Sequence, residues 1–76
     1  MRMSSENYSK NDLWPILVET VHSLVMYPGH KAYTRSAILA EKPETTPVEL
    51  SSRLNVSLGE ALVILHELNE EKKTTS

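Results

Sequence analysis

Two helix-starting signals lie eleven residues apart in this chain, Thr46-Pro47-Val48-Glu49 and Ser57-Leu58-Gly59-Glu60. In each, a hydroxyl can accept a bond from the amide three residues on, while a carboxylate reaches back to the capping amide. Pro47 strengthens the first signal, because the first helical position needs no amide donor. Two starts this close leave room for a helix of about two turns over 47–54, a turn, and a new helix. Asn55 suits the turn, since asparagine tolerates the left-handed backbone better than most non-glycine residues. The second helix is predicted over 58–71, with Ala61, Ile64, Leu65 and Leu68 turned to one side at helical spacing. Local stereochemistry alone therefore predicts a helix–turn–helix.

Upstream, Trp14, Leu17, Val18, Val21, Leu24 and Val25 recur at intervals of three and four, which predicts an amphipathic first helix. It is expected to start near Asn11 or Asp12, with Ser9 or Asn11 as cap and Pro15 in its first turn. Pro28-Gly29 is expected to end it, the glycine taking a left-handed cap. A short helix is predicted over 34–40, with Thr34 as cap and Ile38 and Leu39 inward; a loop over 42–46 follows, because Pro43 disfavours helix before it. The expected organisation is a disordered tail over 1–10, a single domain over 11–71 and a second tail over 72–76. The fold class is all-α, four helices with a long first helix packed across a three-helix core.

Composition narrows the function. A chain of 76 residues forms a thin core and has little room for a large enclosed pocket. It contains no cysteine, so neither disulfides nor thiolate chemistry are available. His22, His30 and His66 fall in separate elements without metal-ligand spacing, no serine stands beside an activating base, and Gly29 and Gly59 are isolated, so no phosphate-cradling loop is present. An enzyme is not expected, nor is any cofactor or metal. The amino-terminal residues lack the apolar centre of a secretory signal and no apolar run approaches a membrane span, so a cytoplasmic location is expected.

Residues 46–68 carry a resemblance. A short helix ending in Leu54-Asn55-Val56-Ser57, then a second helix with apolar residues at matching offsets, is similar to the helix–turn–helix of winged-helix transcription regulators. Leu50, Leu54, Val56, Ala61, Leu65 and Leu68 occupy the family's buried positions. The resemblance implies a three-helix core and a role in transcription. Two features depart from the family. Only five residues follow Glu71, too few for the wing hairpin. The positions that would face the major groove are Leu58, Gly59, Glu60, Leu62, Val63 and His66, which lack the side chains that read base edges. From Thr46 to Glu71 there is one arginine against five glutamates, a net of −4 that phosphates repel.

These patterns give a leading expectation and two alternatives. The leading one is a regulatory helix–turn–helix protein working through protein contacts or a homodimer, with Leu58, Leu62, Val63, His66 and Trp14 as partner-binding residues. Leu58 and Leu62 lie at the edge of the apolar arc of the last helix, where they serve either as core or as an interface, and Val63 projects away from the arc's centre. Leu13 to Met26 holds more apolar surface than three short helices can cover, which leaves self-association open. The first alternative is a conventional DNA binder contacting phosphates through Ser51, Ser52, Arg53, Ser57, Lys72 and Lys73, as a dimer across two half-sites. The second is an adaptor unconnected with nucleic acid. Glu67 to Lys73 is expected to be a solvated helix end.

Overall fold

The computed structural model describes residues 10–75, with side chains as far as Lys72. Of the tail expected over 1–10, residues 1–9 lie outside the described residues, as does the side chain of Lys73. All regular structure among the described residues is helical. Helix α1 is Trp14–His22; α2 runs continuously through Tyr27–Tyr33, Thr34–Ile38 and Leu39–Glu41; α3 is Pro47–Leu54; and α4 is Leu58–Thr75. None of these helices is long and apolar enough to cross a membrane.

The chain breaks between α3 and α4 where the capping signals put the break. The Glu49 amide donates to the Thr46 hydroxyl at 3.2 Å, and the Thr46 amide donates to the Glu49 carboxylate at 3.0 Å, closing the first box. Asn55 takes the left-handed conformation at φ 56°, ψ 47°, and no other non-glycine residue described has positive φ. Its amide returns to the Ser51 carbonyl, and the Ser51 hydroxyl donates to the Val56 carbonyl at 2.7 Å. Only half of the second box forms as drawn: the Glu60 amide donates to the Ser57 hydroxyl at 3.1 Å, but the Glu60 carboxylate turns inward to His30.

The upstream half departs from expectation. Helix α1 stops at His22, and Leu24 and Val25, assigned to its buried stripe, are 41% and 91% exposed. Pro28-Gly29 does not end α1 but sits in the first turn of α2, with Gly29 at negative φ. A proline lacking its amide is tolerated just after one helix or just inside the next, so the dipeptide alone does not say which. Thr34 is likewise no cap. It is fully buried inside α2, and its hydroxyl donates to the His30 carbonyl at 2.8 Å. Competition of this kind for a backbone carbonyl loosens helical geometry, and Thr34–Ile38 is wound as a π-helix. Ile38 is buried and Leu39 half-buried, as anticipated.

Helix α4, rather than α1, is the long one, and it runs on to Thr75 instead of giving way to a tail at Lys72. It is also the centre of the molecule. Glu60, Ala61, Leu62, Val63 and Ile64 are consecutive buried residues, so α1, α2 and α3 enclose its first turns on several sides. The core joins Val21 of α1, Tyr27 and Ile38 of α2 and Leu50 of α3 to Ala61, Val63, Ile64 and Leu68. Val63, expected to project outward, is wholly buried.

Candidate interaction surface

The packing around α4 separates the residues expected to bind a partner. Leu62 and Val63 are core, at 4% and 0% exposure, and present nothing to another molecule in this fold. Leu58, at the exposed start of α4, keeps 38% of its surface in water. Trp14 and His66 do come together, ring centroids 5.1 Å apart and edge to face at 73°. The His66 Nδ1 is buried and has no hydrogen-bond partner, so the imidazole is held there by ring contact rather than by a polar bond.

The residues expected to contact phosphates are committed elsewhere or lie apart. The Ser51 hydroxyl holds the turn, and the Ser57 hydroxyl caps α4. Ser52 and Arg53 are exposed on α3, beside a shallow groove also bordered by Lys42, Thr45 and Val48. Lys42 is ion-paired to Glu49, and Arg53 Nη2 lies 3.8 Å from Glu41 Oε2. Lys42 and the Thr46 cap together hold the Glu49 carboxyl down to about 2. Lys72 is exposed, near the far end of α4 and at the other end of the helix from Ser57.

A third set of groups was invisible in the linear spacing. Glu67 and Glu71 of α4 gather polar side chains from α1 and α2. The Tyr27 hydroxyl donates to Glu67, His22 Nε2 lies 2.6 Å from Glu67 Oε2, and Lys31 Nζ reaches Glu67 at 3.2 Å and Glu71 at 2.6 Å. Arg35 donates to Glu71 at 2.7 Å. Burial acts to raise the Glu67 carboxyl, but bonds from Tyr27, His22 and Lys31 outweigh it and hold the group below its ordinary value. Burial acts to lower the Lys31 ammonium, and its bonds to Glu71 and Glu67 reverse this and raise it. Burial pushes the Tyr27 phenol up, and its bond to Glu67 adds to the effect. His30 Nδ1 makes the parallel contact with the buried Glu60, at 2.6 Å. Glu67 is thus an inter-helix anchor, not the start of a solvated helix end. The hollow beside it, lined by His22, Tyr27, Lys31, His66 and Glu67, opens to solvent. No group of three or more histidine, aspartate or glutamate side chains among the described residues could hold a metal ion.

Several large apolar side chains also remain outside. Leu13 is 66%, Ile16 63% and Met26 63% exposed, along the outer side of α1 and at its corner with α2. The excess of apolar residues between Leu13 and Met26 signalled this surplus; the early end of α1 decides which of them stay outside. Leu17 joins this side to α4: a Cβ added at Gly59 would lie 3.0 Å from Leu17 Cδ1. No family model, curated protein or solved structure matches the chain.

Proposed function

We propose that this chain is a cytoplasmic, non-enzymatic regulatory protein of the helix–turn–helix type, acting in transcription or another nucleic-acid process mainly through protein contacts or self-association. The break at Asn55 between α3 and α4 supports the resemblance to the core of winged-helix regulators. The observation that carries the mode of action is a contrast between charge and apolar surface. Lys31, Arg35, Lys42 and Arg53 are each paired to a carboxylate of the same molecule, whereas Leu13, Ile16, Val25 and Met26 stand in water. Cations already neutralised release few counterions from a phosphate backbone, and large exposed apolar side chains are what a protein partner covers.

The second reading, direct contact with a duplex, draws on the exposed Ser52 and Arg53 of α3. A retardation assay with random-sequence duplex at low salt separates the two. The expected outcome is no retained duplex. Retention that falls steeply as salt rises, and that is lost in Arg53→Ala, would reverse the order of the readings.

A further inference from the structure

We propose that the outer side of α1 is a docking face for an amphipathic helical segment of another protein, one with an apolar face to cover Leu13, Ile16 and Leu58 and a basic edge to meet Asp12 and Glu19. The inference rests on the reading of this chain as a protein-contact module and names the chemistry of its partner. Leu13 caps the start of α1 and Ile16 lies in its first turn, and each leaves over 60% of its area in water. Leu17 approaches the backbone at Gly59, so the start of α4, where Leu58 is exposed, packs against α1. An exposed apolar row on one helix is what the apolar face of a second, amphipathic helix covers.

Charge selects the occupant. Glu19 stands one turn after Ile16 on α1, and Asp12 lies in the turn that leads into the helix, so the face carries a carboxylate on the helix and another at its entry. Both are exposed, and no described cation pairs with either. A second copy of this chain fits poorly, because an antiparallel pairing about a two-fold axis sets Asp12 and Glu19 against the same two carboxylates of the copy. The cations of Lys31, Arg35, Lys42 and Arg53 are in addition already paired within their own molecule. A phosphate backbone is repelled by the same pair of charges. A segment with leucines on one face and lysines or arginines along the edge meets both features at once.

The test uses the full chain and two synthetic helices of about 18 residues, long enough to hold helical structure, each with a leucine face and edged with either lysine or glutamate. Trp14, the sole tryptophan, lies on α1 and reports binding by its fluorescence. The lysine-edged helix is expected to bind saturably, about tenfold weaker to Ile16→Ser and weaker again to the double variant Asp12→Asn/Glu19→Gln, with the glutamate-edged helix showing no saturation. Circular dichroism melts confirm that each variant is folded; both changes lie on exposed side chains. Equal binding of the two peptides, or binding insensitive to all three substitutions, would overturn the proposal. So would light scattering that gives twice 8.6 kDa for the chain alone and returns to a monomer in Ile16→Ser, since a second copy would then hold the face. Salt-sensitive duplex retention would count against the protein-contact reading without altering which peptide binds, so the two fail separately.

Discussion

Asn55 is the residue on which the α3–α4 junction turns. Its φ of 56° is costly for most side chains, by about 1–2 kcal/mol for an ordinary L-residue, and β-branched side chains suffer most. Asn55→Gly is therefore expected to leave the melting temperature unchanged or slightly higher, and Asn55→Val to lower stability by about 1–3 kcal/mol in denaturant titrations. The two glycines offer a contrast. Gly29 has negative φ, lies in the first turn of α2, and a Cβ there meets nothing within 4 Å. Gly29→Ala is expected to stabilise by about 0.5–1 kcal/mol, chiefly by restricting the unfolded chain. Gly59→Ala is expected to gain less or to lose stability, because the new methyl would press on Leu17 Cδ1. Thermal melts of the two variants side by side check this. The role of Asn55 was legible from residue type and neighbours alone. That of Gly29 was not, because Pro-Gly suits a helix end as well as a helix start.

At the scale of elements, the capping box at Thr46 and Glu49 and the bounds of α3 followed from sequence because every bond involved spans three or four residues. The extent of α4 and its central place did not, because Leu58, Leu62 and Val63 look alike in a helical pattern until three other helices choose what to cover. Leu62→Ala is expected to cost about 2–5 kcal/mol, in the range of a buried leucine. Leu58→Ala should cost well under half of that, its side chain already partly in water. Urea titrations with equal slopes would make the comparison clean; equal losses would mean that Leu58 is packed as deeply as Leu62. Of the residues expected at a partner surface, Trp14 and His66 meet each other, Leu58 stays at the rim and Leu62 and Val63 go inside.

Across the whole molecule, the ion pairs at Glu67 and Glu71 join helices distant in sequence, Lys42–Glu49 closes a local loop, and their titration sets how stability varies with pH. Glu49 is held at about 2, from 4.5, by Lys42 and the Thr46 cap; Lys31 and Arg35 lower Glu71, and bonds from Tyr27, His22 and Lys31 lower Glu67 against the opposing effect of burial. A carboxyl lowered in the folded state stabilises above its unfolded value and loses that contribution as pH falls through the folded one. Stability is accordingly expected to be full above about pH 4.5 and to decline as pH falls towards 2. At the alkaline end the signs run the other way. Lys31 is raised from 10.5, its bonds to Glu71 and Glu67 overcoming burial, so its stabilisation is lost as pH rises beyond that value. Tyr27 is raised from 10.0 by burial and its bond to Glu67, so above pH 10 the unfolded phenol ionises first and unfolding gains. Melting temperatures collected across pH give both limbs, and Glu67→Gln should shallow the acid limb.

Local stereochemistry was enough for the all-helical class, for the start and bounds of α3 and for the left-handed turn at Asn55, because hydroxyl, carboxylate and backbone act over a single turn of helix. The end of α1 at His22, the burial of Val63, the continuous α2 through Thr34 and the meeting of His22, Tyr27 and Lys31 at Glu67 were settled only when the helices packed. Those contacts join groups as many as 45 residues apart, and which side chain is covered depends on the position of every other helix at once.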